Sequence, residues 1–350
     1  MEMELNVKEN WYLRSTVGAM LTLLAFTTAA STTVAPSDVV LEPDSRHENI
    51  GELVTTFIQK SHYNHVTVND ELSSAVMDTF IEDLDRNRAF LLASDIEFFE
   101  KYRFELDDLV RNEPLDPVFD MYSIYRTRAR ERFEFALTLL EDEPDLSIDE
   151  EYQFDRSDEP WAETSDELDE LWRKRVKYDV LNLALNDKPW EESQEVLQKR
   201  YKRALKTIAQ RDSDDVFEAF MNAFAHTLDP HSSYLSPRRS EEYRIQMSLS
   251  YFGIGASLQT EDDYVQIVSI IPGGPAAVDG RLGPKDRIAG VAQGEDGTMT
   301  DVIGWRLDDV VDLIRGEADT VVRLQIIPAG ALPGSSEKEI ILTRGQVKLE

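Results

Sequence analysis

The chain has 350 residues, no cysteine and a formal net charge of −31 at pH 7, with 68 acidic and 37 basic residues. This excess of negative charge argues against a nucleic-acid partner and against an anionic membrane surface, because both attract basic proteins. The lack of cysteine excludes disulfide bonds and thiolate chemistry, and the length allows about two domains.

The first predicted element is a signal peptide over residues 1–30. Arg14 precedes the uncharged and mostly apolar run 15–30, which is short for a bilayer span and ends in small residues. These features predict cleavage near Ser31 and export to the periplasm, either free or associated with the inner membrane, with no other membrane contact. An uncleaved anchor and a misassigned start codon are the alternatives. Residues 31–48 are polar and are predicted to form a loose leader.

The helical spacing of apolar residues predicts an α-helical domain over residues 49–240, which we expect to be non-catalytic. One helix is expected after an Asn69 or Asp70 cap and another after a Ser94 cap. Further helices are predicted at residues 116–141, 166–186, 189–210 and 213–227. The strongly acidic stretch before residue 170 lacks the Asp-x-Asp-x-Asp-Gly pattern of calcium loops, so it is predicted to be a solvated connector.

From Tyr251 the apolar pattern changes to alternation, which is typical of β-strands. Five short strands and two helices are expected before Arg344, an arrangement typical of a small, partly open β-barrel flanked by helices. The strands are predicted at residues 255–261, 263–271, 286–291, 320–328 and 338–344, with the last two joined by a Pro333-Gly334 turn. The predicted fold is therefore multidomain, with an α-helical N-terminal domain followed by a small α+β domain.

The stretch "YFGIGASL", residues 251–258, places a glycine on each side of an isoleucine just before a predicted strand. It does not match a phosphate-binding loop, because the third glycine is missing and a strand follows in place of a helix. A structural turn is an open alternative. A third interpretation is a nest of backbone N–H groups that binds a carboxylate. The residues predicted to form this carboxylate loop are Phe252, Gly253, Ile254, Gly255 and Ala256.

A strand that follows such a loop can accept an extended peptide by β-augmentation. The predicted groove has this strand edge as one wall and an amphipathic helix as the other, although some apolar helix residues must face the core instead. Such a groove selects a free C-terminus with an apolar last residue. The residues predicted to line it are Ser257, Leu258 and Gln259 on the strand and Leu307, Val310, Val311 and Ile314 on the helix.

From Tyr251 to about Arg344 the chain resembles a PDZ domain of the bacterial type. "FGIGASL" is similar to the carboxylate loop of such domains, and "IIPGGPAAVDGRLGPKDRIAGV" is similar to the segment that follows it. Lys285 departs from that pattern, which has glycine before Asp286, and this puts the geometry of the turn in question. Upstream, "AFAHTLDPHSSYLSP" and "DRNRAFLLASDIEFF" resemble segments of the tail-specific branch of the C-terminal-processing peptidases.

This resemblance implies an exported serine protease that recognises the apolar C-terminal tails of protein substrates. In that family a serine activated by a lysine lies in a domain after the PDZ domain. Residues 246–345 are accordingly assigned to the PDZ domain and 346–350 to the start of a catalytic domain. We therefore expect no catalytic residue within the chain, no cofactor, no metal and no cleavage of tailed substrates. An envelope adaptor protein is a further expected partner.

Three other sets of residues have the types found in catalytic or metal sites: Ser335 with Lys338, His226 with Asp229 and Ser232, and His62 with His65. The first set adjoins a predicted hairpin turn, whereas a Ser-Lys dyad is expected at a helix start. The second comes from one tight segment, whereas the fold assembles a triad from separate supports, so a turn that ends a helix is the favoured interpretation. The third has no apparent third ligand.

The sequence leaves three functions open. The chain is the substrate-capturing part of a tail-specific protease, or a stand-alone PDZ adaptor that binds peptides, or an envelope scaffold that docks through its helical domain. The protein sequence that follows Glu350 would separate the first from the others, and the affinity for peptides would separate the second from the third.

Overall fold

The structure, a computed structural model, describes residues 40–64, 66–111, 113–331 and 337–349. The predicted signal peptide lies outside the described residues, as do His65, Ser335 and the Pro333-Gly334 turn, so the predictions about them stay open. Val39–Glu350 cluster as one compact unit. Every helix among the described residues is too short or too polar for a membrane span.

Nine α-helices make up the N-terminal part of the described chain. They are α1 Ser45–Ser61, α2 Asp70–Asp85, α3 Ala93–Phe99, α4 Leu106–Arg111, α5 Asp116–Leu139, α6 Ser165–Ala184, α7 Trp190–Ala209, α8 Ser213–Leu228 and α9 Pro237–Ser248. A 3-10 turn, Glu100–Tyr102, follows α3. α1 begins within the predicted leader. α9 spans the predicted boundary between the two domains, where no helix was expected.

Two of the predicted helix starts have different outcomes. Asn69 caps α2 as predicted, because its side chain accepts a hydrogen bond from the N–H of Leu72 at 3.1 Å. The predicted Ser94 cap is wrong. α3 begins after Leu92, and the carboxylate of Asp95 accepts the Leu92 N–H at 3.0 Å. A side-chain acceptor at this third helical position reaches back to the first free N–H of the helix.

Two main apolar cores hold the helices together. α2 and α8 pack in the larger core, where Phe80 and Phe220 meet edge to face with 5.7 Å between ring centres. Trp172 of α6 fills the smaller core, and its indole N–H donates to the carbonyl of Ala89 at 2.6 Å. α7 contributes Leu197 to the smaller core, so the opposite face of α7 is left in solvent.

The acidic connector between α5 and α6 is irregular, as predicted. Its Glu150 accepts hydrogen bonds from Arg173 and from Lys177 of α6, the second at 2.6 Å. These two bonds lower the pKa of Glu150 to about 2. Glu150 therefore stays ionised at neutral pH and holds the connector against α6.

The second part of the chain is a small antiparallel β-structure with two helices. Its elements are β1 Ser250–Gly253, β2 Ala256–Glu261, β3 Tyr264–Ile270, α10 Pro275–Asp279, β4 Arg287–Gln293, β5 Thr300–Asp301, α11 Leu307–Ile314, β6 Val321–Ile327, β7 Lys338–Thr343 and β8 Gly345–Lys348. The main sheet has the order β2-β3-β4-β6-β7, with β5 on β4, and β1 pairs with β8 in a separate ribbon.

The predicted fold class is confirmed, with an α-helical N-terminal part followed by a small α+β part built on an antiparallel sheet. The five predicted strands are five of the six strands of the main sheet. The short strands β1, β5 and β8 were not predicted. β8 includes residues that sequence analysis gave to the start of another domain, and it pairs with β1, with Phe252 opposite Gln346. The carboxylate loop thus follows a paired strand.

The turn at Lys285 keeps the geometry that glycine would favour. Lys285 has a φ of +70°, which lies in the left-handed region. Its N–H donates to the carbonyl of Ile267 at 2.7 Å, and the carboxylate of Asp286 accepts the N–H of Gly283 at 2.8 Å and of Ala329 at 2.9 Å. These bonds hold a lysine in a conformation that costs an L-residue about 1–2 kcal/mol.

Lys285→Gly should therefore stabilise the β-structure by about 0.5–1 kcal/mol, because the relief of strain exceeds the extra chain entropy of glycine. Hydrogen exchange of peptides from β3 and β4, measured by mass spectrometry, should slow accordingly. Lys285→Ala is the matched control, since it removes the same charge but keeps a Cβ in the strained position. Equal protection in the two variants would contradict this explanation.

Candidate peptide-binding site

The loop between β1 and β2 depends on a close approach of two glycines. Gly255 has a φ of +78°, and a Cβ built on it would lie 3.0 Å from the Cα of Gly274. A Cβ on Gly274 would in turn lie 3.1 Å from the Cα of Gly255. Any side chain at Gly255 would therefore strain the backbone and push the two segments apart.

The carbonyl groups of this loop point into the domain. Ile254 O accepts the N–H of Ala276 at 2.8 Å, and Gly255 O accepts the N–H of Ile271 at 2.9 Å. A trans peptide holds its N–H opposite its carbonyl. The N–H groups of Gly255 and Ala256 therefore point away from these partners. Within the described residues, the N–H groups of Ile254 and Gly255 have no hydrogen-bond acceptor.

β2 is an edge strand, because β3 is its only neighbour in the sheet of the described residues. Ala256 lies opposite Ile270, and the ladder is irregular between Ser257 and Leu258. Ser257 and Gln259 are exposed, and Leu258 packs partly on the core. The outer edge of β2 is therefore free to pair, and α11 lies beside β2.

α11 divides its apolar residues between the core and the groove. Val310 and Ile314 are buried and belong to the core, which settles which of the four predicted residues face inward. Leu307 and Val311 are partly exposed. They lie one turn apart on the same side of the helix. Leu307 also packs against the core, so Val311 and the exposed part of Leu307 are the helix surface left to line a groove.

The side chains of two residues of the predicted carboxylate loop, Ile254 and Phe252, do not line the groove. Ile254 is 2% exposed and packs within the core. An aspartate there would bury a charge, so such a variant would test folding and not peptide binding. Phe252 is exposed and lines a cleft of about 490 Å³ with Ile245 of α9. We therefore keep only the backbone of these residues in the candidate site.

Arg315 is a residue near the loop that sequence analysis missed. Its guanidinium lies 5.3 Å from the ring centre of Tyr251, and its Cγ lies 3.8 Å from the position of a Cβ on Gly253. Arg315 forms no ion pair with any described residue. The signal that could have found it is a cation directly after the apolar stripe that ends at Ile314.

A set of ion pairs joins the outer face of α11 to the helical part, and we call it the polar seam. Arg306, at the start of α11, donates to Asp215 of α8 at 2.6 Å and 3.2 Å. Arg238 of α9 lies 2.8 Å from Asp309 and 2.9 Å from Asp312. The polar seam therefore fixes the helix that forms one wall of the groove.

The polar seam lowers the pKa of Asp215. Burial alone would raise the pKa of Asp215, but hydrogen bonds from Arg306 and from the N–H of Asp212 lower it further than burial raises it. The pKa of Asp215 in the folded chain therefore lies below its ordinary value. The stabilisation it provides is present above the unfolded pKa of about 3.9 and is lost as pH falls through the folded value.

The other candidate sets are not assembled into sites. His226 contacts Ser233 at 3.4 Å, whereas Ser232 donates to Asp229 at 3.2 Å, so no triad forms there. Ser232 also lies 3.4 Å from His62, a contact that was not predicted. The carboxylate of Asp229 accepts from Ser232 and lies 3.3 Å from His231 Nδ1, but it does not contact His226, so the order of a triad is not formed. No group of three metal-binding side chains occurs among the described residues.

Comparison with protein families matches most of the described chain. Residues 54–238 match the tail specific protease N-terminal domain, and this match alone covers more than half of the chain. Residues 242–327 match the PDZ domain.

Several known proteins are similar to the chain. It is 38% identical to the tail-specific protease of Haemophilus influenzae over 324 residues, which cover 92% of the chain and 46% of that protein. It is 32% identical over 136 residues to the carboxy-terminal processing protease CtpA of Bacillus subtilis, covering 38% of the chain and 28% of that protein. The chain thus spans less than half the length of either relative. The crystal structure of a PDZ domain of a Vibrio cholerae carboxy-terminal protease, in complex with peptide, is 46% identical, covers 29% of the chain and all of that domain, and gives a TM-score of 0.27.

Asp215→Asn should destabilise the chain by about 1 kcal/mol at pH 7, because it removes the ionised partner of Arg306. The difference from the parent should shrink as pH falls below the unfolded pKa of about 3.9 and through the lower pKa of the folded chain, where the parent carboxylate also becomes protonated. Urea denaturation at several pH values measures both. Asp308→Asn removes an exposed carboxylate of α11 that forms no ion pair with a described residue, so it should have little effect. A destabilisation by Asp215→Asn that does not depend on pH would contradict this role.

Proposed function

The chain belongs to the tail-specific protease family, as its motifs predicted, and on this premise we propose that its PDZ domain captures the free, apolar C-terminus of a protein substrate for proteolysis. The observation that carries the proposal is the orientation of the backbone between β1 and β2. The N–H groups of Gly255 and Ala256 point outward beside a strand edge that has no partner among the described residues. Such N–H groups are hydrogen-bond donors for a carboxylate.

The proposed peptide runs antiparallel to β2, with its terminal carboxylate at the N–H groups of Ile254 to Ala256. Its backbone adds a strand at the free edge, and its last apolar side chain contacts the exposed side of Val311. Arg315 adds a positive charge at the carboxylate end of this groove. These features together favour a chain end over an internal segment.

The expected strength of binding is modest. Burying one apolar side chain contributes about 1.5–3 kcal/mol, and hydrogen bonds to a charged group contribute about 1.5–3 kcal/mol. Fixing the peptide in an extended conformation opposes both terms. The balance gives weak and reversible binding, which suits the capture of many different tails for cutting more than the storage of one partner.

The remaining parts of the proposal rest on the family. We place the serine-type endopeptidase activity in the whole protein, and its location in the periplasm, with export directed by the apolar run 15–30. Substrates are proteins whose C-termini are accessible and end in apolar residues. The helical part is a surface on which an envelope adaptor protein could dock.

Amidation of the peptide tests the carboxylate site. A labelled peptide that ends in free valine should bind at least tenfold more tightly than its C-amidated twin, as measured by fluorescence anisotropy, because amidation removes the charge that the N–H groups and Arg315 bind. Equal binding of the two peptides would rule out the proposed function.

Arg315→Gln tests the contribution of the nearby cation. It should weaken the binding of the free acid about fivefold and that of the amidated peptide by less than twofold, because only the first carries a terminal charge. Arg281→Gln, which removes an arginine paired with Asp279 on the same domain, is the matched control and should change neither affinity. An equal loss for both peptides would show that Arg315 acts on folding and not on the carboxylate.

Val311→Asp tests the apolar wall. It should weaken the free acid at least tenfold, because it replaces an apolar contact with a charge that repels the terminal carboxylate. Val278→Asp changes an exposed valine of α10 that lies outside the groove, and it should bind as the parent does. Parent affinity in Val311→Asp would remove α11 from the site.

A further inference from the structure

A second cleft continues the candidate groove beyond the end of β2. It has a volume of about 580 Å³ and lies between α7 and the β-structure. Thr260 of β2, Trp305 and Leu307 line one side of it. Leu307 also belongs to the groove, so the groove and the cleft share a wall.

The other side of the cleft is a basic stripe on α7, formed by Lys199, Lys202, Arg203 and Lys206. The spacing i, i+3, i+4 and i+7 places all four on one face of the helix. This is the solvent face, because Leu197 on the opposite face lies in the core. The basic stripe is thus displayed by a helix that the core holds in place.

Three cations of the basic stripe are unpaired. Lys199, Lys202 and Arg203 are exposed, and no carboxylate among the described residues lies within ion-pair distance of them. Lys206 pairs with Asp263 at 2.7 Å, which leaves Asp262 as the unpaired acid of the cleft. In a chain of net charge −31, this cleft carries a local excess of positive charge.

The path of the proposed peptide leads to this stripe. A tail that runs antiparallel to β2 lays its last residues along the six residues of that strand and leaves it at the turn formed by Asp262 and Asp263. Lys206 binds that turn, and the stripe leads away from it to Lys199. Seven residues of helix span about 10 Å, which about three residues of an extended peptide cover.

We propose that the basic stripe binds acidic residues of the captured tail, at about the seventh to ninth positions from its C-terminus. This inference rests on the proposed function and adds a second requirement to it. The groove selects an apolar chain end, and the stripe selects the segment before that end by charge. Tails with Asp or Glu in this segment are captured in preference to tails with neutral or basic residues there.

Two labelled peptides test the inference on the intact chain. Both end in the same four apolar residues with a free carboxylate, and they carry either three Glu or three Gln at the seventh to ninth positions. The Glu peptide should bind about fivefold more tightly at 50 mM salt, and this advantage should shrink at 300 mM salt because exposed charges are screened. The double variant Lys202→Glu/Arg203→Glu should abolish or reverse the advantage while its affinity for the Gln peptide changes less than twofold.

The control is Lys60→Glu/Lys101→Glu, which makes the same change in net charge on α1 and on the 3-10 turn, away from the cleft. It should retain the preference for Glu. A preference that survives in the α7 variant, or is lost equally in the control, would overturn the inference and leave the capture of the C-terminus standing. If amidation of the Gln peptide has no effect on binding, the proposed function fails and the inference fails with it.

Discussion

The candidate site depends on one contact, in which the backbones of Gly255 and Gly274 touch. It brings the loop between β1 and β2 close enough for Ala276 and Ile271 to donate to the carbonyls of Ile254 and Gly255. Because each peptide group is planar and trans, engaging the carbonyls inward turns the next N–H groups outward. The proposed donors for a carboxylate are thus a consequence of packing.

α11 lies beside β2 and links it to the helical part. Three sides of this helix have different surroundings. Val310 and Ile314 anchor it in the core of the β-structure, and the polar seam binds its outer face to α8 and α9. The side that carries Leu307 and Val311 is left for the groove. Any shift of α11 on peptide binding would therefore strain Arg306 and its acidic partners, which links occupancy of the groove to the helical part.

The parts of the structure that depend on local pattern could be predicted, and those that depend on long-range contacts could not. The alternation of apolar residues predicted five of the six strands of the main sheet, and residue type predicted the cap at Asn69. β8 forms only because β1 lies beside it, which no local pattern records. Ser94 was predicted as a cap from its residue type. In the structure the carboxylate of Asp95, one position later, accepts the free N–H of Leu92 instead. The glycine pair and the apolar stripe identified the region of the site, whereas the inward face of Val310 and the approach of Arg315 required the fold.

The two parts of the proposed tail-binding surface act over different distances. The groove acts by contact, since an apolar side chain gains nothing until water has left and a hydrogen bond needs about 3 Å. The basic stripe acts through space, but only within the Debye length of about 8 Å at physiological salt. Over the same short range, the acidic residues that dominate the chain repel an acidic tail elsewhere on the surface. Lys199, Lys202 and Arg203 therefore act mainly on tails that are already near the cleft. In the proposed mechanism they slow the dissociation of a tail that has an acidic segment and is already held by its carboxylate.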